Sequence, residues 1–179
     1  MRKLLASCDR RTLVGRRDYA VLLLLARLGL RAGEVAGLGL DDVDWRRGEL
    51  LVRGKGGRHD ELPLPVDVGE ALVSYLRRRP RCECRALFLR MTAPRMGLNR
   101  STVGWVVRAA CDRAGLPRVG AHRLRHTAAT EMLRAGASLA EIGQVLRHRE
   151  QKTTAIYAKV DRKALRALAR PWPLQVGVA

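Results

Sequence analysis

The chain has 179 residues, with 35 Lys and Arg against 17 Asp and Glu, and a formal charge of +18 at neutral pH. At this length we expect one folded domain, and 47% hydrophobic residues make the chain too apolar for a disordered basic tail. The excess of positive charge calls for a polyanionic partner. Nucleic acid, an anionic membrane surface and an acidic protein all satisfy that requirement.

The apolar runs and the cysteines predict a cytoplasmic protein with no membrane-spanning segment. The longest apolar run, residues 20–26, has about a third of the length that a membrane-spanning helix needs. Charged residues from Asp9 onward interrupt a start that superficially resembles a signal peptide. The spacing of the four cysteines fits neither a disulfide framework nor a zinc site, so we expect thiols in a reducing compartment and no metal: Cys8, Cys82, Cys84 and Cys111.

The first half of the chain predicts helices around a small hairpin. Residues 17–30 are apolar on most faces, which predicts a buried helix ending near Gly29, and a short helix over 32–38 and a turn at 41–44 follow. Two extended runs, 49–53 and 58–64, enclose a glycine-rich turn and predict a β-hairpin. A helix over 66–79 and a strand over 86–89 complete this half.

The second half of the chain predicts helices only. We expect them over residues 101–114, 122–135, 138–146, 153–159 and 161–169. Ser138 and Glu141 fit a capping box, and Gly136 fits the end of the preceding helix. The predicted fold is therefore mainly α with a small antiparallel β-sheet, an α+β domain over residues 1–170 followed by a tail over 171–179.

Several polar residues could carry chemistry, although each has an ordinary structural interpretation. Lys55 occupies the hairpin turn, which leads into a strand and so differs from a nucleotide-binding loop; a lone lysine there is usually a solvated turn residue. His122 and Arg125 share one side of a helix start, which favours an anion or is simply a basic solvated helix end. Arg31 and Glu34 are three residues apart and can pair across a helical turn.

Four segments, taken in order, resemble the successive signatures of the tyrosine recombinase, or phage integrase, family. They span residues 28–157, nearly all of the expected domain, and their order and spacing make the resemblance specific. The segments are Leu28-Gly29-Leu30-Arg31-Ala32-Gly33-Glu34-Val35, Val52-Arg53-Gly54-Lys55-Gly56, His122-Arg123-Leu124-Arg125-His126-Thr127, and Leu146-Arg147-His148 through Thr153-Thr154-Ala155-Ile156-Tyr157.

The resemblance implies the fold of a tyrosine recombinase catalytic domain and site-specific cleavage and rejoining of double-stranded DNA through a covalent 3′-phosphotyrosine. It implies no metal, ATP or other cofactor. By the same resemblance Tyr157 is the nucleophile, and Glu34 supports Arg31. The remaining catalytic positions are Arg31, Lys55, His122, Arg125 and His148, and the expected DNA-binding residues are Arg31, Arg53, Lys55, Arg58 and Arg125.

Two departures from the family pattern affect this interpretation. Arg147 stands where the family commonly has Gly, which matters if that position has a positive φ. The family's N-terminal DNA-clamping domain is expected to be absent from this chain. We further expect self-association as a dimer or tetramer on DNA, with a non-catalytic DNA-binding protein and a type IB topoisomerase-like relaxing enzyme as the alternative functions.

Overall fold

The computed structural model describes residues 1–54 and 57–147. Contacts divide the chain into two compact units, Met1–Ala128 and Ala129–Ala179. Within the described ranges, none of the helices is both long and apolar enough to cross a bilayer. In chain order the elements are α1 Arg2–Ala6, α2 Leu13–Arg27, α3 Ala32–Ala36, a 3₁₀ turn Leu40–Asp42, β1 Val43–Asp44, β2 Glu49–Arg53, β3 His59–Pro63, α4 Val66–Leu76, α5 Arg100–Arg113, α6 Ala121–Arg134 and α7 Leu139–Val145.

Helix α2 lies at the centre of the first unit. Thr12 caps it, its hydroxyl accepting a hydrogen bond from the amide of Gly15 at 3.0 Å, so the helix begins four residues before the predicted position. All six residues from Ala20 to Leu25 are buried. The helix ends at Arg27, and Gly29 then turns the chain with φ 58°. The apolar run therefore forms the predicted buried helix.

The sheet has three antiparallel strands in the order β1-β2-β3. The predicted hairpin is confirmed, with Arg53 opposite His59 at its turn end. Just beyond that pair, the amide of Gly54 donates to the carbonyl of Arg58 at 2.8 Å. The third strand, β1, was not predicted, because its two residues are too few to show strand alternation.

The predicted strand over 86–89 is wrong, and its residues form two isolated bridges, Gly39 with Ala86 and Leu89 with Gly97. Side chains bind the backbone groups that a strand would use. The guanidinium of Arg79 donates to the carbonyl of Ala86 at 2.8 Å, and the hydroxyl of Tyr75 accepts from the amide of Leu89 at 3.1 Å. These partners satisfy a buried segment outside any ladder. Helix α1 was also missed, since five residues show little periodicity.

An ion pair lies inside the core of the first unit. Two nitrogens of Arg17 donate to one carboxylate oxygen of Asp18 at 3.0 and 2.8 Å, and a third donates to the carbonyl of Leu89 at 3.0 Å. Burial raises the pKa of Asp18, and the charge of Arg17 opposes that shift. The pair thus ties α2 to the segment that was expected to be a strand.

The second unit is described as far as residue 147. Ala129, Ile142 and Leu146 form its small buried cluster. The predicted capping box is confirmed: the amide of Glu141 donates to the hydroxyl of Ser138 at 3.2 Å, while the Glu141 carboxylate accepts from the Ser138 amide at 2.7 Å. The predicted helices over 153–159 and 161–169, and the 171–179 tail, lie outside the described residues.

Candidate active site

Arg31 and Glu34 form a tethered pair at the start of α3. One carboxylate oxygen of Glu34 accepts from the Arg31 guanidinium at 2.7 Å, and the other accepts from the Arg31 backbone amide at 2.8 Å. The Glu34 side chain is 6% exposed and that of Arg31 is 49% exposed. The buried carboxylate of Glu34 therefore binds both the backbone and the guanidinium of Arg31, whose side chain is still half exposed. This is the pairing that the three-residue spacing predicts.

Arg125 reaches the turn that precedes Arg31. It lies on α6, is 2% exposed, and its guanidinium donates to the backbone carbonyl of Gly29. Gly29 is two residues before Arg31, so Arg125, 96 positions after Gly29, contacts the turn that leads into Arg31. The burial of Arg125 was not predicted. The guanidinium group is a permanent cation in proteins.

His122 lies in the first turn of α6 and pairs with His126, one helical turn later. Their Nε2 atoms are 2.6 Å apart, and the two rings meet edge to face with centroids 4.2 Å apart. A hydrogen bond between two ring nitrogens needs one donor and one acceptor, so at least one imidazole of the pair is neutral. Burial, and then the charge of His122, lowers the pKa of His126.

His126 was not among the predicted site residues. The signal was nevertheless present in the sequence, since histidines at positions i and i+4 of a helix lie on one face. The neutral ring of the pair has a nitrogen that can accept a proton. The charges of Arg123 and Arg125 also lower the pKa of His126.

The end of the hairpin carries a second unpredicted partner. Arg53, the last residue of β2, donates to the carboxylate of Asp42 at 2.5 Å, and the Asp42 side chain is 2% exposed. Arg58 is exposed beside the turn. Lys55, the predicted hairpin lysine, lies outside the described residues.

His148 and Tyr157 likewise lie outside the described residues, so their assigned roles stay predictions. The residue before His148 is described: Arg147 follows the end of α7 with φ 55°. This is the left-handed conformation that glycine adopts without penalty, which gives a physical reason for the glycine common at this position in the family. Arginine occupies the same conformation here.

The described site is therefore a cationic one. In residues 1–54 and 57–147 no group of three or more His, Cys, Asp or Glu side chains is arranged to hold a metal ion. Fixed guanidinium groups suit an anionic substrate, and a neutral imidazole beside them can accept a proton.

Comparison with known proteins agrees with this arrangement. The chain is 58% identical over 175 residues to a putative integrase/recombinase, y4rA, of Sinorhizobium fredii, covering 96% of this chain and 42% of that protein. It is 39% identical over 157 residues to the tyrosine recombinase XerD of Mycobacterium tuberculosis, covering 84% of this chain and 50% of that one. The chain thus spans half or less of the length of these two relatives.

The structure resembles that of the XerH site-specific recombinase bound to a palindromic difH substrate in a post-cleavage complex. The TM-score is 0.77 at 25% identity, over 97% of this chain and 51% of XerH. The predicted mainly helical fold with a small antiparallel sheet is confirmed. Because the model of the phage integrase family matches residues 1–164, nearly the whole chain, the protein belongs to that family, the tyrosine recombinases.

Proposed function

We propose that this chain is the catalytic part of a site-specific DNA recombinase that cuts and rejoins strands through a covalent 3′-phosphotyrosine. The observation that carries the proposal is the bond of Arg125 to the carbonyl of Gly29, two residues before Arg31, together with the tether of Arg31 to Glu34. Two fixed cations of this kind suit a phosphodiester whose negative charge lies on its non-bridging oxygens. The XerH site-specific recombinase, solved with its palindromic difH substrate in a post-cleavage complex, supports our proposal of duplex DNA as the partner.

In the proposed reaction the phenolic oxygen of Tyr157 attacks the scissile phosphorus. A Tyr157 O–P bond forms, the bond from phosphorus to the 5′-oxygen breaks, and the DNA strand leaves with a 5′-hydroxyl. The phenol has an ordinary pKa of about 10 and needs a base, and His122 is the proposed base. The hydrogen bond between His122 and His126 supports this role, because it leaves at least one of the two rings uncharged, so the pair as a whole can accept the proton.

The leaving 5′-oxygen needs a proton, and Lys55 is the proposed donor. His148 is proposed to donate a hydrogen bond to a non-bridging oxygen. Both assignments rest on the family motif. Rejoining is the reverse reaction, in which a new 5′-hydroxyl attacks the phosphotyrosine. The phosphotyrosine bond and the DNA phosphodiester bond have similar free energies, so neither step needs an energy source. The cycle therefore requires neither a metal nor ATP.

The charge of +18 supports a second, less specific interaction with the DNA backbone. Cations that neutralise phosphates release condensed counterions, so affinity falls steeply as salt rises. We propose self-association on DNA as a dimer or tetramer, and a DNA-associated cytoplasmic location.

The proposal is tested by trapping the covalent intermediate. A library of nicked duplexes with a randomised centre is incubated with the full chain, and DNA that stays attached to protein after denaturation is recovered and sequenced. We expect an adduct with a defined site. Tyr157→Phe is the matched control: it should bind the same duplex with unchanged affinity and give no adduct.

The outcomes separate the alternatives. Binding without any adduct on every duplex would favour a non-catalytic DNA-binding protein. Adduct formation with relaxation of supercoiled plasmid, but without exchange between two sites, would favour a type IB topoisomerase-like enzyme. Arg31→Ala and Arg125→Ala should each lose roughly a thousandfold in cleavage rate while nonspecific DNA affinity changes little. An equal loss of binding and cleavage would contradict the phosphate-binding role of the two arginines.

A further inference from the structure

A buried carboxylate at the start of the sheet has no part in the mechanism above. The side chain of Asp42 is 2% exposed, and one of its oxygens accepts from the backbone amide of Gly39 at 2.7 Å and from the guanidinium of Arg53 at 2.5 Å. A charge removed from water is tolerated only when it is paired and hydrogen-bonded, so Arg53 is the partner that Asp42 requires.

The Asp42 end of this ion pair lies in a part of the fold that is held by backbone contacts. Asp42 belongs to the 3₁₀ turn, which is joined to the segment at residues 85 and 86: the amide of Leu40 donates to the carbonyl of Arg85 at 2.9 Å, and Gly39 bridges with Ala86. These contacts make the turn a fixed point in the first unit.

Arg53 lies at the turn end of the hairpin. It is the last residue of β2, in register with His59, and Gly54 then closes the turn through its bond to Arg58. Lys55 follows Gly54 directly in the sequence. The last paired residue before the predicted general acid is therefore anchored through its side chain, in addition to its strand contacts.

We propose that Asp42 is a positioning residue for the general acid. Through its ion pair with Arg53 it fixes the last paired residue of β2, two positions before Lys55 in the sequence, and so sets how efficiently the leaving 5′-oxygen receives its proton. This inference rests on the proposed function. It also gives Arg53, an expected DNA-binding residue, a second role as an anchor of the hairpin.

The experiment compares two leaving groups on the trapped duplex site. One substrate has the normal 5′-oxygen at the scissile phosphate, and the other has sulfur in its place. A thiolate leaves without protonation, so a defect in the general acid slows only the oxygen substrate, whereas a general structural defect slows both. Single-turnover cleavage of both substrates is measured with the full chain.

For Asp42→Asn we expect cleavage of the oxygen substrate to slow roughly tenfold and cleavage of the sulfur substrate to change less than about twofold. Arg53→Gln removes the half-exposed partner of the same ion pair. If Asp42→Asn does not fold, Arg53→Gln should show the same selective slowing of the oxygen substrate. Asp41→Asn is the matched control, because Asp41 is an adjacent carboxylate that is exposed and paired with Arg85. It should cleave both substrates at the wild-type rate.

Two results would overturn the inference: equal slowing on both substrates, or no slowing on either. Lys55→Ala tests the underlying assignment separately. If its loss is not restored by the sulfur substrate, Lys55 is not the acid and that part of the proposed function fails. If its loss is restored while Asp42→Asn and Arg53→Gln show no selectivity, only the positioning role fails.

Discussion

Glu34→Ala is the substitution that most directly tests how the site is built. The Glu34 carboxylate binds Arg31 twice, through its backbone amide at 2.8 Å and its guanidinium at 2.7 Å. Replacement by alanine removes the capping interaction of α3 and frees the arginine side chain. It leaves the charge of Arg31 itself in place.

The size of the effect follows from these two bonds. Loss of the helix cap costs about 1 kcal/mol, and the exposed end of the ion pair adds less than about 1 kcal/mol because water replaces it. We therefore expect the free energy of unfolding to fall by about 1 to 2 kcal/mol. A guanidinium that spends about a tenth of its time in the productive position would slow cleavage roughly tenfold, equivalent to about 1.4 kcal/mol.

Urea denaturation and single-turnover adduct formation measure the two effects. Glu131→Ala is the matched control, since Glu131 and Arg134 have the same three-residue spacing but lie 3.6 Å apart with side chains 67% and 72% exposed. That control should change stability by less than about 0.5 kcal/mol and leave cleavage unchanged. A folded Glu34→Ala chain that cleaves at the wild-type rate would refute the tether, as would equal losses of stability in both variants.

Three other predictions concern the backbone and the histidine pair. Gly15→Ala should destabilise the fold by more than about 2 kcal/mol, because a Cβ would lie 2.0 Å from the Asp9 carbonyl oxygen. Gly33→Ala has open space around it and should stabilise the fold by about 0.5 to 1 kcal/mol, so thermal unfolding should show shifts of opposite sign for the two variants. The lowered pKa of His126 means that the unfolded chain binds its proton more readily, so stability should fall from about pH 7 to about pH 5, and His126→Gln should reduce that loss in urea titrations at the two pH values. At Arg147, glycine should be about 1 kcal/mol more stable than alanine, which keeps the strained Cβ at φ 55°; equal stability of the two variants would contradict this account.

The segment over 86–89 shows where reasoning from sequence stops. Leu87, Phe88 and Leu89 are all buried, and a short buried apolar run is the usual sign of a strand. The carbonyl of Leu89 is instead bound by Arg17, which is 72 residues earlier in the chain. Partners that come from distant side chains leave no periodic pattern in the segment itself, so only the folded structure reveals them.

In the candidate site, too, the contact between residues close in sequence was predicted and the contact between more distant residues was not. The Arg31–Glu34 pair follows from a three-residue spacing and was predicted. The partner of Arg53 was not, because Asp42 is 11 residues away and looked like an ordinary turn aspartate. Spacing within one helix is readable in advance, whereas a contact between a strand end and a 3₁₀ turn depends on register and packing.

The bond from Arg125 to Gly29 joins residues 96 positions apart. A nascent chain acquires it only after α6 has been synthesised, since no earlier residue supplies that guanidinium. Incomplete chains ending before α6 carry Arg31 and its tether but lack the second cation. The second cation can therefore reach the Gly29 turn only after synthesis has passed residue 125.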